Sequence, residues 1–175
     1  MKIRIGSKFS MYKWCKDLFP ICRSITGDGL KKTLSYFEKI NPSLKRLKFR
    51  SGKRVFDWTI PLEWKIIDAY IQHSSGKKFA EFKKNNLHLV NFSVPTKLVL
   101  EKNILLKKIH SHPLYKDAIP YITSYYKKDW GFCLSQNEKK KLPKGKYKIF
   151  INSKFVKGNL DISHAILKGK NKKEI

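Results

Sequence analysis

Met11, Trp14, Cys15, Leu18 and Phe19 recur at i, i+3, i+4, i+7 and i+8, which is one face of a helix over residues 10–19. Pro20 ends or kinks it. The turn "RSITGDG" follows, and Asp28 is placed as the N-cap of a second helix over 29–41. Leu30, Leu34, Phe37 and Ile40 share one side of that helix, and Asn41-Pro42 stops it. The period then shortens. Leu47 and Phe49 alternate, "SGK" turns, and "RVFDWTIP" reads as a strand carrying Val55, Phe56, Trp58 and Ile60. Ile67, Ala69 and Ile71 alternate before "SSGKK". Phe79 to Phe82 is a short strand, and "LHLVNFSV" is another.

"LEKNILLKKI" is ambiguous between a strand and a short helix, while "AIPYITSYY" and "WGFCLS" read as strands. "QNEKKKL" is one or two helical turns. "KYKIFIN" and "NLDISHAILKG" read as a final hairpin around Gly158-Asn159. Breaks rich in Ser, Gly and Asn recur every ten or so residues between 54 and 125, the spacing of a small all-β unit. The pattern therefore predicts an α+β chain, with amino-terminal helices and a small all-β unit from about 54 to 125.

A length of 175 residues suits one domain, or one domain carrying a smaller insert, and 41% apolar residues suffice for a core. The three cysteines, Cys15, Cys22 and Cys133, cannot all pair within the chain, which fits a reducing compartment. The first residues lack a signal-peptide core, and no run approaches the ~20 apolar residues of a membrane span. A cytoplasmic location is the expectation.

The net charge is +26. Of 39 cationic residues five are arginines, leaving 34 lysines. Specific phosphate and base recognition favours the planar fork of Arg, so a Lys-dominated surface fits an AT-rich codon bias better than sequence-specific nucleic-acid binding. Weak, salt-sensitive attraction to polyanions follows from the charge alone. One segment sharpens the question. "SYYKKDWGFC" (124–133) sets Tyr125, Tyr126, Trp130 and Phe132 around Lys127 and Lys128, the ingredients of a single-strand stacking platform. In a strand, however, Tyr125 and Tyr126 face opposite ways and cannot form one stack.

Candidate chemistry is sparse. His110 and His112 in "IHSHP" could share a face, but zinc needs three or four ligands and spacing places no third. Asp161 and His164 fall on opposite faces of a strand. "TGDGLKKT" could offer backbone N–H groups to an anion, yet lacks the P-loop spacing. Asp57 and Glu63 bracket "WTIPL" as a carboxylate pair of unfixed separation. No C-x-x-C, H-E-x-x-H or G-x-S-x-G motif is present. No catalytic, metal-binding or cofactor-binding residue is assigned.

Five phrases carry a resemblance: "LFPICRSITGDGLKKTL" (18–34), "VFDWTIPLEWKIIDAYI" (55–71), "NLHLVNFSVP" (86–95), "DAIPYITSYYKKDWGFCLS" (117–135) and "LPKGKYKIFINS" (142–153). Together they resemble the amino-terminal part of the bacterial aminopeptidase-like proteins found among surface-polysaccharide genes. The resemblance implies an incomplete α/β zinc-exopeptidase-like domain in three parts: amino-terminal helices over 1–53, a β-rich insert over 54–125 and a return segment over 126–175. It also implies that zinc and the catalytic groups belong to a later segment with no counterpart here. The chain is then expected to be an amino-terminal fragment of an aminopeptidase-like hydrolase, inactive alone, whose partner is a separately encoded carboxy-terminal portion. The alternative is a basic binding module for a polyanion or a protein; a free-standing enzyme lacks a constellation. Neither a specific nucleic-acid partner nor a membrane is expected.

Overall fold

The computed structural model describes residues 8–167 and Gly169. In chain order the elements are α1 (Lys8–Leu18), α2 (Asp28–Ile40), β1 (Lys45–Arg50), β2 (Arg54–Val55), β3 (Trp58–Thr59), β4 (Glu63–His73), β5 (Lys78–Phe79), β6 (Thr96–Glu101), α3 (Lys102–Leu105), β7 (Ile109–His110), β8 (Phe132–Cys133), α4 (Gln136–Lys140), β9 (Lys146–Val156) and β10 (Asn159–His164). Single 3-10 turns occupy Asn86–His88 and Leu106–Lys108. The fold class is α+β.

Two compact units form: Met1–Glu63 with Lys157–Ile175, and Trp64–Val156. The boundaries thus fall at 63/64 and 156/157, against 53/54 and 125/126 expected from the sequence. The reason is β9. Its eleven residues lie between β4 and β6 in a four-stranded sheet of order β5-β4-β9-β6, so the segment after 125 packs with the strands before it.

In the first unit, α1 and α2 meet through Trp14 and Phe37, edge to face at 6.4 Å, and through the Tyr36 hydroxyl, which donates to Asp17 at 2.6 Å. Gly29 lets the backbone of Cys22 approach α2; a Cβ there would sit 1.8 Å from the Cys22 carbonyl oxygen. Asp28 is not the N-cap. Gly27 holds that position at φ 95, without a side-chain cap bond, and Asp28 is the first helical residue. Its carboxylate still sits where the helix dipole favours negative charge. No side chain of α2 is fully buried.

The other corrections concern strands. Arg54–Thr59 is a tight β2–β3 hairpin whose tip, Phe56, adopts φ 55 and stands 93% exposed. "LHLVNFSV" begins with a 3-10 turn, and "AIPYITSYY" is irregular apart from the bridge between Asn91 and Thr123. No final hairpin forms at Gly158-Asn159. β10 instead pairs antiparallel with β1, Lys45 opposite His164 through Arg50 opposite Asn159. Alternation identifies a strand but not its partner.

The second unit holds the larger core. Along β9, Tyr147, Ile149, Ile151 and Ser153 turn inward, and across the register Leu100, Leu98 and Thr96 of β6 lie opposite the first three. Ala69 and Ile71 of β4, Leu105, Phe132, Cys133 and Leu134 complete it. Each large side chain so buried contributes roughly 1.5–3 kcal/mol. Trp64 is buried and stacks on Phe92 at 6.0 Å, and its Nε1–H donates to the Ser93 carbonyl, which also accepts the Ser153 hydroxyl. Trp58, also expected inside the β-rich unit, is instead half-buried and lies in the first unit. Ser135 and Glu138 form a reciprocal capping box on α4.

Phe132 is fully buried, so Phe132→Ala is expected to destabilise the chain by about 3–5 kcal/mol. A urea titration checks this; a loss near zero would place Phe132 outside the cooperative core.

Candidate functional site

The most deeply buried ion pair among the described residues is Glu63 with Lys31. Glu63, at the start of β4, is 2% exposed. Its Oε1 accepts from Lys31 Nζ at 2.6 Å and from the Asn159 backbone N–H at 2.9 Å. One carboxylate thereby ties α2 to the start of β10. Beside it, Thr26 is buried and its hydroxyl donates to the Leu62 carbonyl. Gly158 makes room. A Cβ at that residue would lie 2.2 Å from the Glu63 carboxyl carbon, well inside van der Waals contact.

A second carboxylate belongs to the same neighbourhood. Asp161 is 3% exposed, and both of its carboxylate oxygens lack a hydrogen-bond partner among the described residues. It acts on Lys31 electrostatically. The hydrogen bond that Lys31 donates to Glu63 raises the lysine's pKa most; desolvation opposes it, and the charges of Glu63, Asp161 and Asp28 raise it further. Across the strand pair, Lys48 of β1 lies opposite Asp161 in the register. Farther along the same pair of strands, Arg46 of β1 holds Glu38 of α2 through two bonds of 2.7 and 2.8 Å and donates to Ser35. That contact holds the Glu38 carboxyl below the usual carboxylate range.

The candidates from the sequence are dispersed. Asp57 sits exposed at the β2–β3 tip while Glu63 is buried, so they are not an acid–base pair. His112 Nδ1 accepts the backbone N–H groups of Leu114 and Tyr115 and caps a turn. His110 has its pKa lowered by desolvation and by Lys139. His88 is buried and donates from Nδ1 to the Cys133 carbonyl. Asp161 and His164 do fall on opposite faces, one buried and one exposed. Among the described residues, no three His, Cys, Asp or Glu side chains converge on a point that could hold a metal ion, so zinc does not fit them. The cysteines are free thiols. Burial pushes Cys22 up to about 11 and Cys133 up to about 12, which keeps both protonated and unreactive.

The aromatic segment 124–133 is not a platform. Phe132 is core, Tyr125 meets Phe92 edge-on at 5.2 Å, and Lys108 lies over the Trp130 ring at 5.5 Å while pairing with Asp129. Tyr126 alone of these rings is fully presented, at 89% exposure. Pattern reading missed Lys31 and weighed Asp161 only against His164. In "NLDISH" alternation would put the apolar Leu160 and Ile162 on the covered side, yet Asp161 between them is buried and Ile162 is exposed. No helix among the described residues is long and apolar enough to cross a membrane.

A family profile described as a domain of unknown function (DUF2172) matches residues 63–154. The chain is 43% identical over 165 residues to a Clostridium acetobutylicum protein named as a candidate polysaccharide biosynthesis protein with an aminopeptidase-like domain. The match covers 94% of this chain and 38% of that protein. The crystal structure of a candidate peptidase from Clostridium acetobutylicum superposes with a TM-score of 0.82 at 44% identity, covering 89% of this chain and 36% of the other.

Removing the ammonium isolates the Glu63 charge. Lys31→Met is expected to cost about 3 kcal/mol, the lower end for breaking a buried pair because the lysine is one-third exposed. The sign with pH follows from the raised pKa. The folded state holds the Lys31 proton more tightly than the unfolded chain, so the pair's stabilisation is complete below the ordinary lysine value of 10.5 and is lost as pH rises through the higher folded value. Urea midpoints of the two proteins should converge over that window; a gap that widens there would contradict the assignment.

Proposed function

The chain belongs to the DUF2172 family, and on that footing we propose that it is the non-catalytic part of an aminopeptidase-like hydrolase, completed by a polypeptide that carries the zinc ligands and the catalytic groups. The observation that carries this reading is the coverage. Similarity runs through 94% of this chain but spans only 38% of the aminopeptidase-like relative. The chain's own work is then structural: its helices and short sheets provide packing surface, and it makes no bond to the reacting atoms. When present in the completed enzyme, zinc would polarise the scissile carbonyl and activate water; no residue described in this chain takes part in that step.

The charge supports a second reading, a binding module for a polyanion, because 39 cationic residues face 13 acidic ones. The 124–133 segment argues against stacked single-strand recognition, since Tyr126, its one fully exposed ring, meets Tyr125 edge-on at 4.7 Å.

The purified chain, supplied with zinc, is expected to release no product from aminoacyl-p-nitroanilides above buffer and to retain no stoichiometric metal after dialysis. Chelator-sensitive turnover by this chain alone would overturn the proposal. A salt titration addresses the second reading: polyanion binding held by charge alone should vanish steeply with added salt.

A further inference from the structure

The alternation that builds the core of the second unit also builds an outer face. Opposite the buried Tyr147, Ile149 and Ile151, β9 turns Lys148, Phe150, Asn152 and Lys154 outward. Opposite Ala69 and Ile71, β4 turns out Asp68 and Tyr70. β6 adds Lys97 and Val99, set across from Phe150 and Lys148. One row therefore crosses all four strands of the sheet: Lys78 of β5, Tyr70 of β4, Phe150 of β9 and Lys97 of β6. Tyr70 and Phe150 stack at 5.0 Å, and the Lys78 ammonium lies 4.0 Å from the centre of the tyrosine ring. Both faces of the tyrosine are thus covered, one by the phenylalanine and one by the lysine, which leaves ring edges outward. The edge of an aromatic ring is its positive part. Around the rings lie ammonium groups without counter-ions. Asp68 is taken by Lys83 and Glu101 by Lys146, whereas Lys97, Lys148 and Lys154 pair with no carboxylate among the described residues.

We propose that this outer face of the four-stranded sheet binds an extended acidic polysaccharide, with the carboxylates of its sugars on Lys148, Lys97 and Lys154. The inference rests on the second of the two readings above, polyanion binding, and gives it a surface and a ligand class. Charge complementarity selects a linear polymer. In the register Lys97 lies across from Phe150, so the three ammonium groups follow one another along β9 from 148 to 154, a span of about 20 Å at the rise of a strand. That is a line of charges and not a cradle for one small anion. The cations are all lysines. Every arginine of the chain lies at or before residue 54, outside this unit, so the planar fork that grips phosphate is missing. Bases are disfavoured too, because stacking needs ring faces and those of Tyr70 are covered. An extended acidic peptide is received at a sheet edge, through its backbone; the face of a sheet has no backbone groups to offer it. Val99, 61% exposed, and the Asn152 amide supply the apolar and hydrogen-bonding contacts that suit the C–H and hydroxyl groups of sugars.

The test titrates the purified 175-residue chain with polygalacturonate by calorimetry, at about 150 mM salt so that loose attraction is screened. Two double variants remove the same charge. One carries Lys97→Glu and Lys148→Glu on the face; the other carries Lys127→Glu and Lys128→Glu, in the same unit but off the sheet. All four lysines are exposed, so both variants should melt as the parent does. The parent is expected to bind polygalacturonate, the face variant to bind it about tenfold more weakly, and the other to stay within about twofold of the parent. Neutral dextran should not bind. Oligodeoxythymidylate and polyglutamate of matched length should bind more weakly than polygalacturonate. Equal losses in the two variants would mean that charge alone holds the polymer, which overturns the face and leaves the polyanion reading standing. Tighter binding of the oligonucleotide or of polyglutamate through the same lysines overturns the ligand class, and with it the proposal. Absence of polyanion binding even at low salt overturns both. Should the face variant melt early, Lys97→Gln with Lys148→Gln takes its place and must show the same order of affinities, or the proposal falls.

Discussion

The buried contact between Glu63 and Lys31 governs the first unit. A carboxylate with 2% exposure survives there because an ammonium at 2.6 Å and a backbone N–H at 2.9 Å replace the water it has lost. Each partner belongs to a different element, so the charge fixes α2 against the first residue of β10. The surrounding sequence has adapted to it. Gly158 has no side chain to collide with the glutamate, Thr26 closes the neighbouring carbonyl, and β10 begins where its first N–H meets the carboxylate. A directional polar interaction in a unit with few buried apolar side chains selects one arrangement of its elements, where non-directional burial would allow several.

The second unit is organised in the opposite way. Its sheet has one face of inward side chains in strict alternation along β9, and Tyr147, Phe132 and Leu105 fill it. Polar contacts there serve the irregular connections. Ser93 gathers Trp64 and Ser153 on one carbonyl, and Ser135 with Glu138 starts α4. The DUF2172 match begins at Glu63 and ends two residues before β9 does, so the family's defining pattern is nearly the span of this unit.

How much could be read beforehand follows from the same contrast. The two helices, β1, β4 and β9 announce themselves because their periods are long and their faces apolar. The aromatic run 117–132 has strand composition without strand geometry; it fastens by single bonds such as Ser124 N–H to the Asn91 carbonyl, which no periodicity encodes. The partner of β10 was illegible because β1 lies more than a hundred residues earlier. The buried polar cluster was illegible for a sharper reason. A reader places Leu160 and Ile162 inside and Asp161 outside, and the fold does the reverse. Glu63, next to a tryptophan and before a lysine, likewise looks like an ordinary surface residue of a strand. The functional reading came from long phrases of ordered similarity, not from any constellation of reactive groups.

The close approach of Gly158 to Glu63 also constrains descent. With 2.2 Å between a would-be Cβ and the carboxyl carbon, no other residue enters position 158 while the glutamate keeps its place. A lineage that first shortened the acid would open space for a side chain opposite. It would also remove the carboxylate that Lys31 hydrogen-bonds. Glycine, glutamate and lysine, three positions far apart in the chain, are thereby coupled: a change at one alters what the other two can accommodate.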